Sequence, residues 1–388
     1  MIKRGLIIFL LVLSGCTKKP LLNIVTDIGT STVDPSIWGY DYNYAIMSNS
    51  QQAVYSLARS EDGFYFSLVV AQGKSRENVI AFYSTANQTM TLVHDNPSTT
   101  CSVSEYQHCS SLITGALSNL QYYNNHLYYI QEQVDTTTNV KKKLLYQMDL
   151  DGTNQKQVME FQKGNSDLAI SYTFHRGYLY YPSGAKLMKV NIDNWKQKEL
   201  LNLSPDEDLM MEIAPFFYGD LAYLTVNQYR SVNGLTQDVL FQADLNSGET
   251  TMIQEQTGPA FPYDNQLLRF EYQDNMTACT TVLSPFDLST SKPLVETCGF
   301  TLETKDYFMI QGISIYVAKG YFLFDHDGNL LDNLTPASGE SLGTALGIID
   351  NVLISWNVDA KNNNVLKRYT ITDGKFGAGQ VIYTWPQA

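Results

Sequence analysis

The feature that most constrains this chain is a polar corner that returns seven times, each time behind an apolar strand. It reads Ser84-Thr85-Ala86-Asn87, Asp149-Leu150-Asp151-Gly152, Asn191-Ile192-Asp193-Asn194, Asp244-Leu245-Asn246-Ser247-Gly248, Asp287-Leu288-Ser289-Thr290, Asp325-His326-Asp327-Gly328 and Ile371-Thr372-Asp373-Gly374. Asp, Asn and Gly tolerate the positive φ that a tight hairpin requires, so each corner marks a reversal between two strands. Upstream of each lies a run such as Tyr178-Leu179-Tyr180-Tyr181 or Leu127-Tyr128-Tyr129-Ile130. Aromatic and aliphatic runs bounded by Gly, Asn and Asp read as strands. Several are apolar at both alternating positions, so a sheet made of them needs cover on both faces.

Successive corners stand 38 to 65 residues apart, around the period of about 40–50 residues expected of a four-stranded propeller blade. The two longest intervals have local causes. Residues 96–114 hold Cys101 and Cys109 and form an insertion, and residues 227–236 lengthen a connection between second and third strands. The expectation is an all-β β-propeller of seven four-stranded blades, with six or eight as alternatives, spanning residues 53–388. A two-sheet sandwich, with units of about 100 residues, lacks this repeat. Residues 154–161 and 196–201 alternate with charged and amide side chains, as outer edge strands do. The last unit owns a fourth strand at residues 380–385. Closure is therefore by docking of the first blade on the last, or by a strand added from residues 21–25.

The pairing of an aromatic strand (GYLYY, NHLYYI) with a strand ending in DLDGTNQKQV or NIDNWKQKEL resembles bacterial extracellular propellers related to the six-bladed repeats of low-density-lipoprotein receptors. The resemblance implies a propeller and export. The receptor repeats' Tyr-Trp-Thr-Asp signature is absent, so it implies no receptor chemistry.

At the N-terminus, Lys3 and Arg4 precede an apolar run at residues 5–13, too short for a span of about 20 residues and typical of an export signal. Leu13-Ser14-Gly15-Cys16 resembles the lipobox of bacterial lipoproteins. That likeness implies a signal peptide at residues 1–15 and acylation of Cys16, palmitate included, with two or three chains making a durable membrane anchor. Residues 16–52 are then a tether and a segment packed onto the propeller. The chain is expected to be exported and lipid-anchored, facing the exterior or the periplasm.

Export permits disulfides. Cys279 and Cys298 are symmetric about the corner at residues 287–290 and fall opposite each other in a hairpin, while Cys101 and Cys109 close a short loop. No Cys-x-x-Cys or His pair stands at metal-ligand spacing, so neither a metal nor a cofactor is expected. With 39 acidic and 26 basic residues and a net charge of −13, the surface repels phosphates, and nucleic acid is not an expected partner.

Two motifs invite chemistry. Gly339-Glu340-Ser341-Leu342-Gly343 matches a nucleophile elbow, but a strand rather than a helix is expected after it, and every histidine lies upstream of Ser341. Asp325-His326-Asp327-Gly328-Asn329 begins like a calcium loop, yet Leu330 stands where glycine is needed and Pro336 where the last carboxylate belongs. Both read as turns, and no catalytic residue is assigned. Propellers bind at the rim formed by the second-to-third-strand and inter-blade loops, which here gathers Arg76, Tyr106, Asp135, Tyr229, Arg230 and Asp274. Tyr and Arg are enriched at binding hot spots. The expectation is a monomeric, non-catalytic platform for a protein, peptide or glycan. A carbohydrate-cleaving hydrolase or lyase and a scaffold of envelope assembly are the alternatives.

Overall fold

The computed structural model describes residues 28–35, 57–72, 76–96, 101–134, 141–161, 171–202, 209–211, 214–232, 235–255, 260–263, 266–272, 278–303, 306–312, 320–336 and 341–386. Its strands make seven antiparallel sheets, each built from strands consecutive in the chain. Blade 1 runs Leu57–Arg59, Gly63–Gln72, Arg76–Ser84 and Thr89–Leu92, and blade 3 runs Thr173–His175, Tyr178–Ser183, Lys186–Asn191 and Gln197–Asn202. Blade 7 runs Thr344–Ile349, Val352–Val358, Asn363–Thr372 and Gln380–Pro386. All seven polar corners lie between third and fourth strands. First strands of neighbouring blades approach one another, that of blade 1 touching those of blades 2 and 7, so they ring the centre.

The two-sided apolar strands explain why the sheets form a ring. In blade 3, Leu179, Tyr181, Met188 and Val190 pack with Tyr123, Tyr128, Ile130 and Leu145 of blade 2. On the opposite face Tyr180, Leu187 and Leu201 pack with Ala222, Leu224, Val226 and Ala243 of blade 4. Alternate residues of a strand point to opposite faces, so one run serves two interfaces. The same arrangement recurs around the molecule, and seven apolar clusters join each blade to its neighbour. Burying one such large side chain contributes about 1.5–3 kcal/mol.

Among the described residues no strand is shared between the first and last sheets. The fourth strand of blade 7, Gln380–Pro386, comes from its own unit, as the sequence suggested. The ring closes through side chains: Leu57, Phe64, Phe66 and Tyr83 of blade 1 meet Leu346, Ile349, Ile354, Leu366 and Trp385 of blade 7. Gly347 lies at the contact, where an added Cβ would come 2.7 Å from Leu57 Cδ2 and 2.9 Å from Phe64 Cε1. The alternative closing strand at residues 21–25 lies outside the described residues.

Three local expectations change. The long interval at residues 227–236 is an extension of the hairpin itself, Leu221–Val232 paired with Leu235–Asp244, with a register shift between Gln228 and Val232. In blade 6 the second strand is Phe308–Gly312, whose Met309 and Ile310 face neighbouring blades; the apolar run chosen from sequence, Ile313 to Val317, lies outside the described residues. Both disulfides form, with Cα atoms 5.1 Å and 5.5 Å apart. Cys298, however, lies beyond the fourth strand Lys292–Val295 and just before the first strand of blade 6, Gly299–Glu303. It therefore ties the third strand of blade 5 to the connection into blade 6.

Between blades 3 and 4, His175 is stacked on Phe217 with ring centroids 4.3 Å apart, and its Nε2 lies 2.9 Å from the Gly219 carbonyl. Burial, reinforced by the adjacent Arg176 charge, pushes its pKa down to about 3.

Two outcomes follow from this packing. Gly347→Val should lower stability by about 1–3 kcal/mol through overpacking at the seam, read by urea unfolding; an unchanged midpoint would argue that blades 1 and 7 are not in close contact. The unfolded chain protonates His175 near its ordinary value while the folded chain resists. The neutral histidine's contribution is therefore complete above pH 6.5 and declines as pH falls toward 3, by at most about 1.4 kcal/mol per pH unit. Unfolding free energies from pH 7 to 4.5 should show this slope in the wild type and a shallower one in His175→Gln.

Candidate functional site

The fourth strand of blade 1 is split. Thr89–Leu92 pairs with one half of Arg76–Ser84 and Ile113–Thr114 with the other, at Glu77 and Asn78. The insertion between the halves is tied by the Cys101–Cys109 bridge and carries a 3-10 turn, Tyr106–His108. Asn78 Nδ2 donates to the Gly115 carbonyl at 2.6 Å, and the Gly115 amide donates to the Arg76 carbonyl at 2.7 Å. The Tyr106 hydroxyl hydrogen-bonds to Glu77, whose carboxylate holds the phenol pKa above its ordinary value.

Arg76 opens the third strand of blade 1, next to the Glu77 that Tyr106 reaches. Tyr229 and Arg230 belong to the second strand of blade 4, Leu221–Val232. Asp135 and Asp274 lie outside the described residues. Of the six rim residues chosen from sequence, the described chain places Arg76 and Tyr106 in blade 1 and Tyr229 and Arg230 in a strand of blade 4.

The corner at Asp325 is occupied by the protein's own donors. Asp325 Oδ1 accepts the Asn329 amide at 2.7 Å, its Oδ2 accepts Asn329 Nδ2 at 2.9 Å, and these bonds lower its pKa. Lys292 Nζ reaches the Asp327 carbonyl at 2.7 Å and Asn329 Oδ1 at 2.9 Å, so an ammonium stands against oxygens that a calcium ion would need. Among the described residues no group of three or more His, Cys, Asp or Glu side chains is arranged to hold a metal. Ser341 lies in the connection from blade 6 to blade 7 and leads into the strand Thr344–Ile349, not into a helix. Its Oγ accepts the Gly343 amide at 3.1 Å. That is a turn-stabilising contact.

Sequence reasoning missed a clamp on the corner face of blade 3. Asn191 Nδ2 and Asn194 Nδ2 donate to the Ile28 carbonyl at 3.2 and 3.0 Å, and Asp193 accepts both the amide (2.6 Å) and the hydroxyl (3.0 Å) of Thr32. The Tyr178 hydroxyl accepts the Ser31 amide at 3.1 Å and donates to the Gly29 carbonyl at 3.2 Å. Ile28 enters the cluster between blades 3 and 4, and Val33 the one between blades 2 and 3. Gly177 makes room, since any Cβ there would run into Ser31. The signal available was the Asn-Ile-Asp-Asn corner itself, with more amide and carboxylate groups than a hairpin consumes.

No family model and no curated protein matches the chain. Solved structures do. The β-propeller domain of the Trilobed protease from Pyrococcus furiosus, described as having an open velcro topology, superposes with a TM-score of 0.54 at 10% identity, covering 85% of this chain and 96% of that one. A puromycin-hydrolyzing peptidase of Mycobacterium tuberculosis gives 0.51 at 8% identity, covering 91% of this chain and 55% of that one. The chain thus spans little more than half the length of that peptidase. At such identities the likeness establishes the shared fold. It corrects two expectations. The two similar structures belong to peptidases, not to low-density-lipoprotein receptors, and the expectation of a non-catalytic recognition platform, with its sugar-cleaving and scaffold alternatives, is withdrawn.

Because Lys292 already satisfies the Asp325 corner, millimolar calcium should leave the thermal midpoint unchanged; a rise of several degrees would place an ion there.

Proposed function

We propose that this chain is a peptidase-related propeller, the ring component of a peptide-hydrolysing system. The observation that carries this reading is the closure. Blades 1 and 7 meet by packing, with no strand shared between them among the described residues, and the Pyrococcus furiosus protease propeller, matched over 96% of its length, is described by its open velcro.

The physical consequence suits such a role. A ring closed by a shared strand can widen only by breaking backbone hydrogen bonds, each a net loss of about 0.5–1.5 kcal/mol. A ring closed by packing can part at one interface and close again with its sheets intact. Extended peptides pass such a ring more readily than folded chains, which fits a component that selects substrate for a hydrolase by size and foldedness.

The test is activity that accompanies the chain. The tagged full-length protein, purified from cells that make it, should bring with it hydrolysis of unstructured fluorogenic peptides, and fluorescence anisotropy should show it binding such peptides in preference to oligosaccharides. Purification without peptide turnover, together with no peptide binding, would reject the reading.

A further inference from the structure

We propose that residues 101–114 are a thiol-set clasp on the seam between blades 1 and 7. With the Cys101–Cys109 bridge closed the clasp holds the seam shut, and opening of the bridge by a dithiol reductant lets the two blades part. From the proposed function this takes only the idea that the ring parts at its packed seam, and it names what controls the parting.

The first support is where the clasp lies. Its inner end belongs to blade 1, where Ile113–Thr114 pairs with Asn78 and Glu77. The buried Ser111 hydroxyl donates to the Val93 carbonyl at 2.8 Å and accepts the Ile80 amide at 3.3 Å. Beside it the chain is fastened to the corner of blade 2. Ser110 Oγ donates to the Asp151 carbonyl, Gln155 Nε2 donates to the Ser110 carbonyl at 2.8 Å, and a Cβ at Gly152 would come 2.7 Å from the Ser111 nitrogen. The bridged loop reaches the other way. Cys109 is buried in the cluster that joins blade 1 to Leu346, Ile349, Leu366 and Trp385 of blade 7, and Cys101, Val103, Tyr106 and Leu112 pack against the same cluster. One insertion is thus anchored to blades 1 and 2 and lies on the apolar contact that closes the ring.

The second support is what gives the clasp its shape. The bridge joins residues 8 apart in sequence. Within that loop the backbone makes turn bonds, Glu105 amide to Ser102 carbonyl at 3.1 Å and Cys109 amide to Tyr106 carbonyl at 3.0 Å, while Ser104, Glu105, Gln107 and His108 are exposed. So short and polar a loop buries little against the entropy of its own ordering, and the bridge removes much of that freedom. With the bridge open, the fixed points from Ser110 onward remain, and the part from Cys101 to Tyr106 lifts from the seam.

The third support is reach. Cys101 is partly exposed, whereas Cys279 and Cys298 of the other bridge are 2% and 1% exposed. Thiol–disulfide exchange requires a thiolate to approach a sulfur, so access selects the bridge that opens. One thiolate of the dithiol attacks Cys101 Sγ, and Cys109 leaves as a thiolate and takes up a proton. The reagent's second thiol then displaces Cys101, which is protonated in turn. Two electrons and two protons pass to the protein, and the dithiol departs as its own disulfide.

The test uses the full chain with dithiothreitol as the dithiol, alkylation to identify the opened bridge, and hydroxyl-radical footprinting read by mass spectrometry. Cys101–Cys109 should open first. Oxidation of Phe64, Phe66 and Trp385, buried at the seam, should then rise severalfold, while that of Phe174 and Tyr181, buried between blades 2 and 3, stays the same. The Cys101→Ser, Cys109→Ser double variant should give the same pattern without reductant; should it not fold, the reductant experiment decides alone. Earlier opening of Cys279–Cys298, an unchanged footprint at Phe64, Phe66 and Trp385 once Cys101–Cys109 is open, or an equal rise at Phe174 and Tyr181 would each overturn the proposal. Peptide turnover is not read here, so an unchanged seam strikes the clasp alone, and absent turnover strikes the peptidase reading alone.

Discussion

The whole structure depends on sheets that are apolar on both faces. A lone antiparallel sheet keeps one face wet, but here Leu179 and Tyr180, adjacent in sequence, are both buried on opposite sides of the same strand. No single partner can cover such a sheet. Each must stand between two others, and a row of such sheets exposes apolar surface at both ends unless it bends into a circle. Ring closure is thus a requirement of the strand composition, and the seam between blades 1 and 7 is the place where the chain's two ends meet that requirement. It meets it with aromatic and aliphatic packing, Phe64 and Tyr83 against Leu366 and Trp385, rather than with a borrowed strand.

The polar parts of the molecule are consumed largely by turn formation. Asp151, Asp244, Asp287, Asp325 and Asp359 all have carboxylates stabilised by nearby backbone amides or hydroxyls, and their pKa values fall accordingly. An acidic chain of this kind looks rich in candidate ligands when read as a string. In three dimensions the carboxylates are occupied where they stand. The corner of blade 3 is the exception in kind: its Asn191, Asp193 and Asn194 reach beyond their own hairpin to hold a segment more than 150 residues away.

What was legible in the sequence follows the range of the physics involved. The seven corners and the apolar runs before them are local, set by φ preference and alternation, and they located the third and fourth strands of every blade. The partner of Cys279 was legible because loop closure depends on spacing, although Cys298 falls past the fourth strand and staples two blades instead of one hairpin. The second strand of blade 6 was misplaced because both Phe308–Gly312 and the residues after it are apolar, and only packing against blades 5 and 7 decides between them. The rim residues were chosen from loop position alone, and Asp135 and Asp274 lie outside the described residues. That Tyr106 reaches Glu77 depends on how an inserted loop folds back across a sheet, which sequence spacing does not encode.

The central claim, that blade 7 docks directly on blade 1, is tested most directly by circular permutation. Joining Pro386 to Leu57 through a linker of nine residues, the length of the native connection between Leu334 and Thr344, and opening the chain between residues 336 and 341 bridges the seam covalently. If the seam is as described, the permuted chain folds and unfolds cooperatively in urea at a concentration no lower than the unpermuted chain of residues 57–386. A permuted chain that stays unfolded while the unpermuted one folds would mean that the first and last blades are not neighbours.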